Sequence, residues 1–342
     1  MTEAPPPGAG EALADALDFA AAAGAVARVA RVTPLLEAPD LSARVGFPVA
    51  LKLENLQVTG SFKVRGAAAR LGALSPRERK DGVVACSSGN HGRAVAWVAG
   101  RMGIPATVCV PGWVDPVKLE GIRAAGAEAL LAGDTFDEAE AHALSLARKS
   151  GRTYVSAYDD PWVVAGQGTL ALECLQALGR PPRAVLAPLS GGGLVSGIAA
   201  ALRWRLGVDA PPAVAVTAER AAVMLASLEA GHPVELPEEE TVAGALSGGI
   251  GLDNRCSFAL VRDLVSQHVV VSEDAIRRSM ATAFRDFRVV AEGGGATALA
   301  AILEGQWAPL SGDPDAPVVV VVSGGNVSPA TLLSVLEDGK GD

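Results

Sequence analysis

Short, β-branched apolar runs alternate with Ala-, Leu- and Arg-rich segments along almost all of this 342-residue chain. Strands that are apolar at nearly every position are typical of parallel sheets buried on both faces. The segments between them supply the helical layers that cover such sheets. The pattern therefore predicts an α/β fold, with strands at Val49–Glu54, Gly82–Cys86, Ala106–Val110, Glu128–Leu131, Tyr154–Ala157, Ala184–Pro188, Ala213–Thr217, His268–Ser272 and Val318–Val322.

The segments between these strands have the residue pattern of helices. The chain length suits two domains or one large unit with an insertion. The Ala-rich run Ala20–Ala30 contains Gly24 and Arg28 and is too weakly hydrophobic for a membrane span. It predicts a helix that follows a disordered tip at Thr2–Gly10. Gly231–Glu240, rich in glutamate, predicts a solvated loop. The other helices are predicted at Gly92–Met102, Val117–Ala125, Phe136–Lys149, Gly166–Leu178 and Leu194–Arg205.

Charge and cysteine content argue against several classes of protein. A net charge of −9 with scattered basic residues is unfavourable for binding nucleic acid. The acidic, proline-rich start lacks the basic region of a secretory signal. The cysteines lack the paired spacing of a metal site, so reduced, buried thiols are expected at Cys86, Cys109, Cys174 and Cys256. We therefore expect a soluble, cytoplasmic protein that binds neither nucleic acid nor a membrane.

Three polar, glycine-rich clusters each follow the end of a predicted strand. They are Ser-Ser-Gly-Asn-His-Gly at 87–92, Ser-Gly-Gly-Gly-Leu at 190–194 and Ser-Gly-Gly-Asn at 323–326. In parallel α/β sheets, ligands bind at the carboxyl ends of the strands, where loops lead into helix N-termini. The sequence therefore predicts a single binding site built from several strands.

Lys63 is the candidate for the reacting group of this site. It is one of only six lysines, and it lies between a predicted strand and the alanine-rich stretch Ala67–Leu74. An amine held near partly desolvated backbone has its ammonium form disfavoured, so it becomes a usable base and nucleophile. The chemistry that most needs such an amine is Schiff-base formation with a carbonyl cofactor, chiefly pyridoxal phosphate. The alternative is a surface lysine at a helix start.

The loop at 190–194 is suited to an anion. Consecutive glycines let backbone amides converge, and the helix dipole favours a phosphate at a helix N-terminus. The loop is not a P-loop, because no Gly-Lys-Ser/Thr follows it. It also lacks the third glycine of the dinucleotide fingerprint, where Ser196 stands. Taken alone, the loop is equally well explained as a tight strand-to-helix turn.

The cluster at 87–92 offers hydrogen-bonding groups at a helix start. Its polar side chains are Ser87, Ser88, Asn90 and His91. Together with free backbone amides, they would suit a small carboxylate. A serine N-cap would explain one hydroxyl, but it would not explain Asn90 and His91 together.

Ser323 and Glu292 are the remaining candidates. Ser323 ends the most apolar strand, where a buried hydroxyl needs a partner such as a heteroaromatic nitrogen. Its alternative role is to cap a turn. Glu292 precedes three glycines and is either a helix N-terminal acid or a carboxylate of the site.

Taken in order, these motifs resemble the fold-type II pyridoxal phosphate enzymes, and within them the serine/threonine dehydratase and serine racemase branch. The resemblance rests on Ser-Phe-Lys at 61–63 with Arg-Gly-Ala at 65–67, and on the three glycine-rich clusters. It extends from Arg-Val-Thr-Pro-Leu at 31–35 to residue 326. The segment Gly-Gly-Ile-Gly-Leu-Asp-Asn-Arg at 248–255 is most similar to dehydratases associated with hydroxyectoine utilisation.

The resemblance implies the architecture in more detail. It implies two open, mostly parallel twisted sheets with helices on both faces, as in the β subunit of tryptophan synthase. Residues 1–81 and 161–342 would form a large domain that binds the cofactor. Residues 82–160 would form a small, mobile domain that binds the substrate. A homodimer is also implied, and no feedback control through an appended C-terminal module is expected.

The resemblance also implies roles for the candidate residues. Lys63 would hold pyridoxal 5'-phosphate and later remove the Cα proton of the substrate, while Ser88 would be an acid/base on the opposite face. Ser323 would face the pyridine nitrogen as a neutral group, which favours prompt loss of a β-substituent. The expected cofactor-binding residues are Phe62, Lys63, Asn90, Gly191, Gly192, Gly193, Leu194, Glu292 and Ser323, and the expected substrate-binding residues are Ser87, Asn90 and His91.

The implied reaction is β-elimination of water from a 3-hydroxy-amino acid such as L-threonine or L-serine, giving a 2-oxo acid and ammonia. A serine-type racemase is the nearest alternative, and Ser88 is the feature in its favour. Enzymes of β-replacement resemble a Thr-Ser-Gly-Asn-Thr loop, which residues 87–91 do not match. A catalytically silent protein that binds the cofactor or an amino acid is the alternative from another class, although retention of Lys63 argues against it.

The sequence departs from the branch at two places. Glu219 matches one carboxylate of the cation-dependent relatives, but Leu225 stands where they have an aspartate. We therefore expect no metal. Ala-Gly-Ala at 243–245 replaces the Ala-Asp-Gly of many relatives, which puts the usual preference for threonine in question.

Overall fold

The structure is a computed structural model that describes residues 5–112, 114 and 116–338. Two β-sheets are surrounded by helices, so the α/β class and the two mostly parallel sheets expected from the sequence are confirmed. The candidate residues of the site lie in loops that connect the end of a strand to the start of a helix.

Six strands form the larger sheet: β1 (Leu35–Glu37), β2 (Val49–Leu53), β7 (Ala184–Leu189), β8 (Ala213–Ala218), β9 (Gln267–Val271) and β10 (Val318–Val322). Their spatial order is β1-β2-β10-β7-β8-β9. Neighbours are parallel except for β1, which pairs antiparallel with β2. All residues of β2, β7, β8 and β10 are buried, as expected for strands covered on both faces.

The smaller sheet is entirely parallel and consists of β3 (Val83–Cys86), β4 (Ala106–Val110), β5 (Glu128–Leu131) and β6 (Thr153–Tyr154). Its order is β5-β4-β3-β6. The four strands lie within the range 82–160 that the resemblance assigns to a small domain. Residues 155–160 lead from β6 back to the part of the chain that builds the larger sheet.

Helices cover both sheets, and those predicted at Gly92–Met102, Val117–Ala125, Phe136–Lys149 and Leu194–Arg205 are found within two residues of their predicted ends. Several others were not predicted. The helices are α1 (Ala9–Asp15), α2 (Phe19–Val26), α3 (Pro39–Val45), α4 (Lys63–Gly72), α5 (Pro76–Asp81), α6 (Asn90–Met102), α7 (Pro116–Ala124), α8 (Phe136–Ser150), α9 (Pro161–Leu178), α10 (Gly193–Leu206), α11 (Val223–Ala230), α12 (Ser257–Leu264), α13 (Glu273–Phe287), α14 (Gly293–Leu303) and α15 (Pro329–Asp338). Within the described residues, no helix combines the length and the apolar character that a bilayer crossing requires.

Three expectations for individual elements were wrong. The strand predicted at Tyr154–Ala157 is only Thr153–Tyr154, because the chain then turns into the link to α9. The helix predicted at Gly166–Leu178 is α9, and it begins earlier, at Pro161. Asp160 caps this start by accepting from two backbone amides at 2.8 and 3.0 Å. The predicted disordered tip includes residues 2–4, which lie outside the described residues, but α1 already begins at Ala9.

Apolar side chains fill both faces of each sheet. On one face of the larger sheet, α9 and α10 pack over β7 and β10, and α14 packs on the opposite face. The core of the smaller sheet also includes residues of α4 and α6. As a result, α4 contacts both α9 and α6 and lies where the two sheets approach each other.

Candidate active site

Lys63 is the first residue of α4, and the end of β10 holds it in place. Ser61 forms an isolated β-bridge with Gly324. The amide of Phe62 donates to the backbone oxygen of Ser323 at 3.0 Å. These backbone contacts bring the Ser-Phe-Lys motif and the cluster at 323–326 together, as the strand-end argument predicts.

The amine of Lys63 lies in a desolvated position without a carboxylate hydrogen-bonded to it among the described residues. Its Nζ donates to the backbone oxygen of Ala157 at 3.0 Å. It also lies 5.2 Å from the ring centroid of Phe62. Burial lowers the pKa of Lys63 to about 8. An appreciable fraction of this amine is therefore neutral and nucleophilic near neutral pH.

His91 is buried close to this amine. Its pKa is lowered to about 3 by burial and by the positive charge of Lys63. Nε2 lies 2.9 Å from the backbone oxygen of Val155, which can only accept, so Nε2 carries the ring proton. Nδ1 is then an acceptor, and in this geometry the ring cannot donate a hydrogen bond to a substrate carboxylate. The ring of His91 therefore does not fit a carboxylate-binding role, and substrate binding by this residue would fall to its backbone amide at the start of α6.

The loop before α6 is compact. The amide of Gly89 donates to Ser87 Oγ at 3.1 Å, and Asn90 is the first helical residue. A Cβ added to Gly92 would lie 2.1 Å from the backbone oxygen of Ser87, so only glycine allows the helix to start this close to the loop. Ser87, Ser88 and Asn90 are partly exposed at this end of the smaller sheet. They are available to a bound molecule.

The cluster at 190–194 joins β7 to α10. Gly192 has a φ of +84°, which glycine adopts without strain, and it is the N-cap of α10. Among the described residues, the backbone amides of 191–194 have no hydrogen-bond partner. A Cβ on Gly191 would lie 2.3 Å from the ring of Tyr158, so the loop packs directly beneath this ring. The loop is therefore a set of unpaired donors at the start of a long helix.

Glu292 and Ser323 flank the start of α14. Glu292 is the N-cap residue of α14, but its side chain caps no amide of that helix. Instead, its Oε1 accepts from Asn90 Nδ2 at 2.6 Å. This contact fits the interpretation of Glu292 as a carboxylate of the site. Ser323 is buried, and its hydroxyl donates to the backbone oxygen of Gly294 at 3.3 Å.

Glu219 is engaged in the fold. Its Oε1 accepts from the backbone amide of Glu273, the first residue of α13, at 2.9 Å. Glu273 in turn accepts from the Thr241 hydroxyl and from the amide of Val242 at 2.5 and 2.8 Å. Within the described part of the chain, no group of three His, Cys, Asp or Glu side chains could hold a metal ion.

Two side chains that line the site were not singled out from the sequence. Tyr158 covers the glycine loop, and Asn326 donates to Asn90 Oδ1 at 2.6 Å. Asn326 was within a recognised cluster, so its motif was a usable signal. Tyr158 carried only a weak signal, because its neighbours Gly191 and Gly193 are separated from it in the sequence by the whole of α9.

The donor set fits pyridoxal phosphate. The unpaired amides at 191–194 form a cradle for the phosphate, and Cβ atoms at Gly191 or Gly193 would close the space beside Tyr158. The desolvated amine of Lys63 suits attack on an aldehyde. Asn90 Nδ2 has a second N–H besides the one donated to Glu292. The Ser323 hydroxyl is neutral, and it would turn from the Gly294 oxygen to donate to a ring nitrogen.

Comparison with known proteins supports the same cofactor. The family described as "Pyridoxal-phosphate dependent enzyme" matches residues 26–324. An L-threonine ammonia-lyase from Geobacter sulfurreducens is 38% identical over 90% of this chain and 75% of its own length. The match spans only 52% of the length of the biosynthetic L-threonine dehydratases from Salmonella typhimurium and Escherichia coli.

Solved structures give the same relationship. Threonine deaminase isoform 2 from Solanum lycopersicum superimposes with a TM-score of 0.86 at 32% identity, covering 98% of this chain and 91% of that chain. Maize serine racemase superimposes with a TM-score of 0.84 at 30% identity, covering 94% and 96%. Both similarities extend across the two sheets, so the likeness includes the site and is not limited to one sheet.

Proposed function

The chain belongs to the family of pyridoxal-phosphate dependent enzymes, and from this membership we propose that it is an ammonia-lyase. Its reaction is the dehydration and deamination of a 3-hydroxy-amino acid such as L-threonine or L-serine to a 2-oxo acid and ammonia. The observation that carries the proposal is the amine of Lys63, whose pKa is lowered to about 8 by burial at the start of α4. Such an amine is both a nucleophile and a base near neutral pH.

When bound, pyridoxal phosphate supplies an electrophilic carbonyl carbon and an electron-accepting ring that acidifies the Cα–H bond of an attached amino acid. The amides at 191–194 would bind the phosphate, and Phe62 would pack beside the ring. Asn90, hydrogen-bonded to Glu292, would donate to the ring hydroxyl. Ser323 would present a neutral hydroxyl to the ring nitrogen and would not hold that nitrogen protonated.

The amine of Lys63 first anchors the cofactor and then, once released, takes the proton from the substrate Cα. Ala157 supports both steps, because its backbone oxygen holds Nζ in position without supplying a charge that would keep the amine protonated. His91 stays neutral beside it and adds no competing proton. The hydroxyl group would leave Cβ as water, with the proton that Lys63 took from Cα. Hydrolysis of the unsaturated amino acid released would then give the 2-oxo acid and ammonia.

The carboxylate of the substrate is assigned to Ser87, Asn90 and the free amides at the start of α6. This is the positive end of a helix dipole, which favours an anion. In our proposal, residues 82–160 move as a small domain that closes over the substrate, with residues 1–81 and 161–342 as the large domain. A homodimer in the cytoplasm completes the proposal, and four buried cysteines that form no disulfide among the described residues are in keeping with a reducing compartment.

The test is to incubate the purified holoenzyme with L-threonine, L-serine and longer 3-hydroxy-amino acids, and to measure oxo acid and enantiomeric composition separately. Oxo acid from at least one substrate is expected, together with its loss in Lys63→Ala. If no oxo acid forms from any of them, the chain is not a lyase of this class. A profile that favours longer substrates would support a place in hydroxyectoine utilisation, which rests on the segment 248–255.

Racemisation is a second candidate activity, favoured by the similarity to maize serine racemase and by the position of Ser88 in the loop before α6. In this proposal the Ser88 hydroxyl exchanges a proton with Cα from the face opposite Lys63. Ser88→Ala should then abolish racemisation and leave elimination measurable. Unchanged racemisation in Ser88→Ala would remove this role from Ser88.

A further inference from the structure

A chain of side-chain hydrogen bonds joins α6 to the larger sheet beside the site. We call it the relay, and it consists of Arg93, Asn326, Asn90 and Glu292. Arg93 Nη1 donates to Asn326 Oδ1 at 3.2 Å, and Asn326 Nδ2 donates to Asn90 Oδ1 at 2.6 Å. Asn90 Nδ2 donates to Glu292 Oε1 at 2.6 Å. Two members belong to α6, whereas the other two lie at the end of β10 and the start of α14.

The direction of the hydrogen bonds in the relay is fixed by chemistry. An asparagine amide can often be turned over without changing its shape. Here Asn326 cannot be turned over, because Arg93 can only donate to its Oδ1. The backbone oxygen of Thr59 can only accept, and it receives Asn326 Nδ2 at 2.9 Å. Nδ2 is therefore the atom that Asn326 directs at Asn90.

The direction carries through to Asn90. Since Asn90 Oδ1 is occupied by the donor from Asn326, its Nδ2 must face the opposite side, where Glu292 accepts. Asn90 consequently directs its Nδ2 toward the Glu292 side, and one N–H of this group is left for a bound molecule. A ligand atom placed there must itself be an acceptor, such as a deprotonated ring hydroxyl.

Two glycines leave room for the relay. A Cβ on Gly60, which has a φ of +76°, would lie 2.3 Å from Asn326 Oδ1. A Cβ on Gly324 would lie 2.0 Å from Glu292 Oε1. The absence of a side chain at Gly60 and Gly324 thus makes room for Asn326 and Glu292. Gly324 also pairs with Ser61 and so helps to position Lys63.

We propose that Asn326 is a positioning residue that acts through Asn90. It fixes the Asn90 amide as a donor toward the cofactor ring oxygen and fastens the start of α6 to the larger sheet, while Arg93 sets the orientation of Asn326. The inference rests on the proposed function only in that Asn90 contacts pyridoxal phosphate. It concerns affinity for the cofactor and not turnover.

The substitutions Asn326→Asp and Asn326→Ala separate this role from simple packing. Aspartate has nearly the shape of asparagine, but it cannot donate to Asn90 Oδ1, and it invites Asn90 to turn its Nδ2 away from the site. We expect titration of apoprotein with pyridoxal phosphate to give a Kd raised about tenfold in Asn326→Asp, and by less in Asn326→Ala, on the scale of one net hydrogen bond. A packing role would give the opposite order, because alanine removes more contacts.

A double-mutant cycle with Asn90→Ala identifies the path of the effect. In the Asn90→Ala background, Asn326→Asp should change the cofactor Kd by less than about twofold, because coupled residues are not additive. Equal effects in both backgrounds, or a larger loss for alanine than for aspartate, would overturn the proposal. Arg93→Met removes the charged donor, and it should also raise the cofactor Kd only when Asn90 is present. This variant replaces Asn326→Asp in the cycle if Asn326→Asp fails to fold.

The matched control is Arg101→Gln, on the last turn of α6, where the arginine stacks on Trp97 and touches no relay residue. It should leave the cofactor Kd unchanged. Thermal unfolding of each apoprotein checks that the fold is retained. If wild-type holoenzyme makes no oxo acid but the affinity pattern holds, the proposed function fails and the positioning role stands. Additive affinities in an active enzyme would refute the positioning role alone.

Discussion

The amine of Lys63 donates to the backbone oxygen of Ala157 at 3.0 Å, in the segment that connects β6 to α9. The acceptor is neutral, so it orients the amine without favouring its charged form over its neutral form as a carboxylate would. Burial therefore lowers the pKa of Lys63 to about 8. Burial beside a neutral acceptor therefore makes the amine of Lys63 reactive, and it also means that the ammonium form destabilises the apoprotein.

Lys63→Met is expected to stabilise the apoprotein at pH 7. The folded-state pKa of about 8 lies below the ordinary value of 10.5, so the unfolded chain binds more protons between these two values. The free energy of unfolding of the wild type should therefore rise between pH 8 and 10.5. Below pH 8, the destabilisation caused by the buried ammonium group should be at its full value. Removing it should add up to about 3 kcal/mol to the free energy of unfolding at pH 7. Urea titrations of apoprotein at pH 7 and 10.5 measure the difference.

The exposed residue Lys149, near the end of α8, is the matched control, and Lys149→Met should give no such pH-dependent gain. A gain for Lys63→Met that is equal at pH 7 and 10.5 would mean that added apolar contact, and not the buried charge, was responsible.

Arg65→Met is expected to destabilise the protein strongly. The guanidinium of Arg65 is fully buried and forms paired hydrogen bonds of 2.7–2.8 Å with Glu54 and Glu173. Lys52 completes the network by donating to Glu173 at 2.6 Å. Methionine would leave two carboxylates facing each other without their shared partner. The loss should be about 3–5 kcal/mol in the free energy of unfolding, measured by urea denaturation.

Arg77→Met provides the comparison at an exposed ion pair. Arg77 is 92% exposed and lies 3.6 Å from Asp81, so its replacement should change stability by less than about 1 kcal/mol. Similar losses for the two variants would show that the buried network contributes no more than a surface pair.

The sequence predicted the features that depend on local pattern. Val318–Val322 was recognisable because five consecutive valines favour a buried strand, and the structure has the same bounds. The clusters at strand ends were recognisable because glycine and serine directly follow apolar runs. β1 was missed, since Leu35–Glu37 is only three residues long and largely exposed, and its pairing with β2 depends on a partner elsewhere.

The contacts within the site could not be predicted in the same way. Asn90 and Asn326 are hydrogen-bonded across 236 positions of sequence, and nothing local to either residue indicates the other. Tyr158 meets Gly191 only because α9 returns the chain to the larger sheet. The tautomer of His91, and hence its unsuitability as a donor to a carboxylate, follows from its contact with Val155 and not from its motif.

Gly191→Ala is expected to weaken binding of pyridoxal phosphate by at least about tenfold, the loss of one or more net hydrogen bonds to the phosphate. The added Cβ would lie 2.3 Å from the Tyr158 ring, so either the loop or the ring must shift. A shift of the loop moves amide donors away from the phosphate. Fluorescence or absorbance titration of the apoprotein measures the affinity.

Gly24→Ala is the matched control, because this helical glycine in α2 has nothing within 4 Å of an added Cβ. It should leave cofactor affinity unchanged and stabilise the protein by up to about 1 kcal/mol. If Gly191→Ala binds the cofactor as tightly as wild type, the loop at 190–194 is not the phosphate site.

His91→Gln is expected to make the apoprotein less sensitive to acid. The folded-state pKa of about 3 lies below the ordinary value of 6.5, so the unfolded chain binds the extra proton as the pH falls through 6.5. Between pH 7 and 5, wild type should therefore lose about 2 kcal/mol of unfolding free energy that the variant retains. Glutamine can still donate to Val155, which limits the loss of packing. Urea titrations at the two pH values measure the effect.

The exposed residue His142, in α8, provides the control, and His142→Gln should follow the wild-type pH dependence. An imidazole signal of His91 that titrates between pH 5 and 8 in an NMR experiment would contradict the prediction.

A neutral His91 also has a consequence for turnover, because the ring cannot act as an acid toward the substrate near neutral pH. In the proposed elimination, removal of the Cα proton therefore falls to the amine of Lys63. The apoprotein's reactivity toward aldehydes should rise with pH as this amine loses its proton, with a midpoint at a pH of about 8.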